Sequence, residues 1–177
     1  MNLPNKLTTF RVVLIPFFVV FVMSDLAGAA SKWVALGIFI VASLTDFLDG
    51  YIARKQHLVT NFGKFMDPLA DKMLALSAMC VFIERGLMPG WAVAAVLFRE
   101  FAVSGMRLIA AERGRVIPAG WSGKVKTTVT MIGLCLMLTF PHSETLNCIY
   151  TSLIVLATLY SGVEYFWKNR DLFAQKG

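Results

Sequence analysis

The chain has 177 residues, of which 57% are hydrophobic and 16% are charged, and its formal net charge is +6. An ordinary soluble domain carries about 25% charged residues, so this composition excludes a water-soluble protein with a single core. The basic residues lie between apolar runs rather than along one polar helix face, which argues against nucleic acid as a partner.

The apolar residues form runs of about 17–25, the length at which an α-helix crosses the hydrocarbon layer. Turn-forming or charged residues separate these runs. The sequence therefore predicts an all-α polytopic membrane protein with six transmembrane helices in a single domain, residues 1–177. The predicted spans are residues 7–24, 33–54, 67–84, 90–112, 123–140 and 146–167.

An even number of spans places both termini on the same side of the membrane. The basic residues of the loops are concentrated on that side, whereas the opposite loops hold only Lys32 and Arg85. Cytosolic loops of membrane proteins carry an excess of lysine and arginine. We therefore expect both termini, and the loops after spans two and four, to face the cytosol at the cell membrane.

Four aspartates lie at the cytosolic ends of the second and third spans. Asp46 and Asp49 close one apolar run, and Asp67 and Asp71 open the next. Residues three or four apart share a helix face, so each pair points in one direction. If the short connection folds the two helices side by side, the four carboxylates converge at one depth.

Carboxylates that converge need cations between them, and sites rich in oxygen select hard ions such as Mg²⁺ or Mn²⁺. Two such ions about 4 Å apart can clamp a phosphate and stabilise an in-line displacement at phosphorus. The alternative is that the aspartates are helix caps or ion-pair partners of Arg54, Lys64 and Lys72. That alternative explains one aspartate more readily than four at this spacing.

The aspartates belong to a longer pattern with fixed gaps. It resembles the complete signature of the CDP-alcohol phosphotransferase family, whose six-helix plan agrees with the hydropathy. The pattern reads Asp46-x-x-Asp49-Gly50-x-x-Ala53-Arg54, eight residues, then Gly63-x-x-x-Asp67-x-x-x-Asp71.

The resemblance implies an enzyme that transfers a CDP-activated lipid to an alcohol. Two divalent cations, Mg²⁺ or Mn²⁺, would hold the pyrophosphate of the donor, and Asp71 would also take the proton from the acceptor hydroxyl before CMP leaves. A homodimer is implied as well. The implied ligands of the cations are Asp46, Asp49, Asp67 and Asp71.

The resemblance implies that the remaining signature residues bind the nucleotide of the donor. Gly50, Ala53 and Gly63 would leave room for the cytidine nucleotide, and Arg54 would neutralise phosphate charge. Taken alone, the small residues Gly50 and Gly63 are equally explained by close helix packing.

Basic residues in the fourth and fifth spans exceed what membrane anchoring needs: Arg99, Arg107, Lys124 and Lys126. Arg99 lies too deep to reach the interface easily and requires a partner. We expect adjacent Glu100 to point off another face, so a bound anion or an acid on a neighbouring helix is the predicted partner. Together these cations suit a phosphate, although Lys124 and Lys126 alone could be interfacial anchors.

At the start of the chain, Asn5, Thr8 and Arg11 fall at one-turn intervals. Together with the Arg99-Glu100-Phe101 and Gly123-Lys124-x-Lys126-Thr127 stretches, they resemble the phosphatidylglycerophosphate synthases within the family. That resemblance implies CDP-diacylglycerol as donor and sn-glycerol 3-phosphate as acceptor. Asn5 and Thr8 would lie near the CDP-lipid and Arg11 near the acceptor phosphate, unless the segment is only an interfacial helix turn.

Two other functions fit parts of the sequence. Another CDP-alcohol phosphotransferase, such as a phosphatidylinositol phosphate synthase, would use the same donor with a different alcohol. A small ion transporter would also place acids in a membrane, but it predicts acids spread through the bilayer depth. Here they cluster at one end, which favours the transferase.

Overall fold

The computed structural model describes residues 3–24, 26–56, 61–118, 120–141 and 143–172, with backbone only for 3–5, 46–56, 61–68 and 71. Within these residues the chain is all-helical, with six α-helices, two short 3₁₀ turns and no strand. The helices are α1 (Leu3–Met23), α2 (Ser31–Gln56), α3 (Asn61–Glu84), α4 (Gly90–Glu112), α5 (Trp121–Thr139) and α6 (Glu144–Lys168).

Each predicted span corresponds to one of these helices, and the prediction of an all-α chain is confirmed. The largest difference is at α3, which begins at Asn61, six residues before the predicted start. Hydropathy missed this segment because Asn61, Gly63 and Lys64 interrupt its apolar residues, so that no apolar run marks the first turns of the helix. The prediction that Asp67 and Asp71 stand at the start of this helix is therefore wrong. They lie in its second and third turns, and Gly63 lies in the first.

Among the described residues, three segments are long and apolar enough to cross a membrane: Lys6–Met23, Gly28–Thr45 and Glu144–Lys168. These identify a membrane protein. The predicted crossing of α3, α4 and α5 stays a prediction, because charged side chains such as Arg99 and Glu100 interrupt the apolar character of those helices.

The core is built where α1 packs against α2 and α3, while α5 packs against α2 and α6. Phe18 of α1 and Phe39 of α2 are fully buried, with ring centroids 5.5 Å apart. Ala35 and Ala42, also fully buried, lie one turn either side of Phe39. Small side chains at these positions let the helix backbones approach closely, as in other membrane helix pairs.

The outer faces of the helices are apolar, which is the reverse of a soluble bundle. Phe17 of α1, Phe98 of α4 and Trp167 of α6 are each more than half exposed. A soluble monomer rarely exposes apolar residues in continuous stripes. The exposed stripes are therefore the surface that lipid tails would cover.

Two arginines tie helix ends together across the bundle. Arg85, just after α3, donates from Nε to the carbonyl of Val22 near the end of α1, at 3.0 Å. Arg113, just after α4, donates to the carbonyl of Leu172 beyond α6, at 2.8 Å. The ends of α1 and α3 thus lie together, and so do those of α4 and α6, as an up-and-down bundle requires.

The contact between α5 and α6 depends on Gly133. A Cβ at this position would lie 2.9 Å from Cδ1 and 3.2 Å from Cγ1 of the fully buried Ile154. We expect Gly133→Val to lower the thermal midpoint in detergent, since overpacking a buried contact costs about 1–3 kcal/mol. Gly37→Val is the control, because no heavy atom lies within 4 Å of that Cβ position. Equal midpoints for the two variants would contradict this packing.

Candidate functional site

The first part of the candidate site is the signature on α2 and α3. The structure places Asp46, Asp49 and the following signature residues in the last turns of α2, which is a continuous helix to Gln56. Asp67 and Asp71 lie on α3, and the two helices contact each other. Each aspartate pair therefore shares a helix face, at spacings of three and four residues.

The side chains of the signature lie outside the described residues. The convergence of the four carboxylates on a metal site therefore stays a prediction. The same holds for the proposed contacts of the other signature members, which are Gly50, Ala53, Arg54 and Gly63, and for those of Asn5 at the start of α1. The donor set itself suits Mg²⁺ or Mn²⁺, because it offers carboxylate oxygens from two adjacent helices.

Two residues of the N-terminal motif are deep inside the bundle. Thr8 and Arg11 lie on one face of α1, and both side chains are fully buried. A helix turn at the membrane interface would leave an arginine exposed to head groups and water. The burial of Arg11 therefore argues against the interfacial alternative for this segment.

The second part of the site is a group of charged side chains around Glu100, here called the Glu100 cluster: Lys72, Arg99, Glu100 and Lys126. Oε1 of Glu100 accepts a hydrogen bond from Lys126 Nζ and lies 3.1 Å from Arg99 Nη1. Oε2 lies 3.9 Å from Lys72 Nζ. One carboxylate thus joins cations from α3, α4 and α5, and the cluster keeps a net charge of two positive.

The prediction that Glu100 points away from Arg99 is wrong. The two Cα atoms do differ in direction by about 100° around the helix. The side chains are long enough to curve into the same space between α4, α5 and α6, where their head groups meet. Arg99 also has a partner on another helix, since Nη2 donates to Ser161 Oγ of α6 at 2.5 Å.

Arg99 is packed into a space made by two glycines. A Cβ on Gly162 of α6 would lie 3.2 Å from Arg99 Cγ, and one on Gly123 of α5 would lie 3.7 Å from Nη2. The Nε of Arg99 is buried and has no hydrogen-bond partner among the described residues. The guanidinium is therefore held in place while one of its donors stays available.

A polar face of α4 extends from the cluster toward the end of that helix. Glu100, Ser104 and Arg107 follow at spacings of four and three residues. Ser104 Oγ accepts a hydrogen bond from Lys72 Nζ, and Arg107 Nε donates to Tyr165 Oη of α6 at 3.0 Å. The guanidinium of Arg107 also lies 5.5 Å from the centroid of the Tyr165 ring.

The five cations predicted to bind an acceptor phosphate are thus brought together only in part. Arg99 and Lys126 share the Glu100 cluster, and Arg107 lies two turns further along α4. Lys124 is exposed, whereas Lys126 is 7% exposed. Arg11 is on α1, while the contacts of the cluster come from α3 to α6.

Sequence reasoning missed several members of this arrangement. Glu100 was set aside, Lys72 was considered only as a counter-ion for the aspartates, and Ser104, Ser161 and Tyr165 were not considered. A signal was present on α4, because Glu100, Ser104 and Arg107 form a polar stripe at helical spacing within an apolar run. Nothing in the local sequence marks Ser161 or Tyr165, whose roles depend on how α6 packs.

The position of Lys72 connects the two parts of the site. It directly follows Asp71 on α3, so the cluster begins one residue from the end of the signature. A partly buried excess of positive charge next to a carboxylate-rich signature along α3 suits a reaction between two phosphate-bearing molecules.

Comparison with known proteins decides the family. Residues 1–163 match the family model described as CDP-alcohol phosphatidyltransferase. The chain belongs to this family. The resemblance predicted from the signature is therefore confirmed.

Several bacterial relatives match nearly the whole chain. A protein of Bacillus subtilis, named CDP-diacylglycerol–glycerol-3-phosphate 3-phosphatidyltransferase, is 39% identical over 95% of both chains. A protein of Salmonella typhimurium with the same name is 38% identical over 98% of both chains. A probable phosphatidylglycerophosphate synthase of Mycobacterium tuberculosis is 38% identical over 93% of this chain and 79% of its own.

Lys126 and Lys124 offer a matched pair for mutagenesis. We expect Lys126→Met to lower the thermal midpoint in detergent, because it removes a charge-assisted hydrogen bond to the mostly buried Glu100, at a cost of about 1–3 kcal/mol. Lys124→Met should change the free energy of unfolding by no more than about 0.5 kcal/mol, as exposed substitutions usually do, so its midpoint should stay close to that of the parent. A larger loss for Lys124→Met than for Lys126→Met would contradict the burial of Lys126.

Proposed function

We propose that this protein transfers the phosphatidyl group of CDP-diacylglycerol to sn-glycerol 3-phosphate, which gives phosphatidylglycerophosphate and CMP. Membership of the CDP-alcohol phosphatidyltransferase family supports the donor chemistry. The names of the relatives support the acceptor. The observation that carries the proposal is the Glu100 cluster, which has an excess of positive charge. One of its cations, Lys72, directly follows Asp71 on α3.

In the proposed reaction, Asp71 takes the proton from the acceptor hydroxyl. The oxygen then attacks the phosphorus that bears the diacylglycerol, the bond from that phosphorus to the CMP oxygen breaks, and CMP leaves. Two divalent cations held by the signature aspartates would neutralise the pyrophosphate charge. Gly50, Ala53 and Gly63 would leave space for the nucleotide, with Arg54 beside its phosphates.

The acceptor's own phosphate would be held by the cations of α4 and α5. Arg99 and Lys126 converge at Glu100, and Arg107 lies on the same polar face of α4. A guanidinium gives directional hydrogen bonds to a phosphate, and an ammonium adds a compact charge. Lys124 would contribute as an exposed cation of α5, and Arg11 would contribute from α1.

We further propose that the active site and both termini face the cytosol. The positive-inside pattern of the sequence supports this orientation. The contacts of Arg113 and Arg115 with the segment after α6 also gather basic residues at the end of the bundle where α4 and α6 finish. The homodimer implied by the family resemblance stays a prediction.

Turnover should depend on both substrates and on a divalent cation. Detergent-purified protein should release CMP only when CDP-diacylglycerol, sn-glycerol 3-phosphate and Mg²⁺ or Mn²⁺ are all present, and chelation of the metal should stop release. Asp71→Asn should lower kcat by about 10²–10⁴-fold, because a general base contributes that much. Asp171→Asn is the control, since Asp171 is exposed beyond α6 and pairs with Arg115.

Three other results of this assay would each change a different part of the proposed function. CMP release without any acceptor would indicate hydrolysis. Release with inositol phosphate but not with sn-glycerol 3-phosphate would keep the family chemistry and change the acceptor. Full activity of Asp71→Asn would remove Asp71 from the role of base.

The orientation can be tested by cysteine labelling in intact cells. In a variant whose native cysteines are replaced by serine, Leu26→Cys should react with a membrane-impermeant maleimide, because Leu26 is exposed in the connection between α1 and α2. Arg115→Cys, exposed at the opposite end of the bundle, should react only after the membrane is permeabilised. The reverse pattern would invert the proposed topology.

A further inference from the structure

The proposed reaction assigns no task to Glu100. We propose that Glu100 is the positioning residue of the acceptor site, which fixes Arg99 and Lys126 around the acceptor's phosphate and sets the charge of their pocket. This inference rests on the proposed function and deepens it, because it makes Glu100 a determinant of the preference for a phosphorylated acceptor.

The geometry supports a positioning role. Glu100 uses a single oxygen, Oε1, to accept hydrogen bonds from Arg99 of α4 and Lys126 of α5. Its other oxygen faces Lys72 of α3 at 3.9 Å. The side chains of Arg99, Glu100 and Lys126 are 11%, 13% and 9% exposed, so all three are held in a mostly enclosed space.

Arg99 is constrained on its remaining sides as well. Ser161 accepts from Nη2, and the glycines at 123 and 162 leave only a narrow space for the side chain. Its buried Nε has no partner among the described residues. A guanidinium that is fixed on two nitrogens and has a third donor without a partner is pre-organised to donate to one more oxygen.

The charge balance of the cluster matches a phosphate monoester. Three cations and one carboxylate leave two positive charges, and a phosphate monoester carries about −1.5 to −2 at pH 7. Without Glu100, three cations would converge with no counter-charge and would repel each other, which would spread them apart. A neutral alcohol would gain nothing from the cluster, so the pocket should discriminate through charge.

A purely structural role makes a different prediction. If Glu100 only fastened α4 to α5, its loss would lower stability and reduce turnover with every acceptor alike. A positioning residue instead affects the binding of the charged acceptor and leaves the chemical step with a saturating acceptor unchanged. The split between KM and kcat therefore separates the two roles.

The test is Glu100→Gln, which keeps the shape of the side chain and removes its charge. We expect the KM for sn-glycerol 3-phosphate to rise by about tenfold or more, since a charge-assisted hydrogen-bond network is lost. The KM for CDP-diacylglycerol and the kcat at saturating acceptor should stay within about twofold of the parent. Glu164→Gln is the matched control, because Glu164 pairs with Lys168 on α6 and has no described contact with the cluster.

Glu100→Asp keeps the charge on a shorter side chain, and it serves if Glu100→Gln does not fold. Its acceptor KM should lie between those of the parent and Glu100→Gln. The preference for glycerol 3-phosphate over glycerol, measured as the ratio of kcat/KM, should fall in both variants.

The outcomes separate this inference from the proposed function. If the parent protein does not use sn-glycerol 3-phosphate at all, the proposed function fails. If the parent does use it and both Glu100 variants keep its KM within about twofold, only the role of Glu100 fails. A loss of kcat with every acceptor, at unchanged KM, would assign Glu100 a structural role instead.

Discussion

The architecture of α3 to α6 depends on how charge is accommodated inside a bundle with an apolar exterior. Glu100 lies among Lys72, Arg99 and Lys126, and no member of this group could be mostly buried alone without a large desolvation cost. Each cation reaches the carboxylate from a different direction, and together they join three helices. The excess of positive charge that remains is the feature on which the proposed binding of the acceptor's phosphate rests.

The packing of the neighbouring helices also accommodates these buried charges. Gly162 and Gly123 occur where α6 and α5 pass beside Arg99, and a larger side chain would compete with the guanidinium for space. In the apolar core, the helix contacts depend on the fit of uncharged side chains instead. Phe18 and Phe39 fill the contact between α1 and α2, and Gly133 lets α5 approach Ile154 of α6 closely. The described part of the bundle thus has one region with an apolar core and another that holds mostly buried charges.

Among the residues that the structure describes, the sequence predicted the order and approximate limits of the α-helices because long apolar runs leave a strong hydropathy signal. It predicted the family because the signature residues are fixed in type and spacing. It failed at the start of α3, where Asn61, Gly63 and Lys64 interrupt the apolar residues of a segment that is nevertheless helical. It also failed at Glu100, since spacing on one helix cannot show how two long side chains bend between three others. The contributions of Ser161 and Tyr165 were invisible for the same reason, because only the packing of α6 brings them to α4.

The continuity of α3 has a consequence for how two substrates could influence each other. Asp71 and Lys72 are consecutive residues of one continuous helix, and Lys72 donates a hydrogen bond to Ser104 of α4. A small tilt or rotation of α3 would therefore move the signature and the cation beside Glu100 together. If occupancy on one side of this helix changes affinity on the other, thermodynamic reciprocity requires the same factor in the opposite direction. Coupling of this kind would link the binding of a lipid donor to the binding of a water-soluble acceptor.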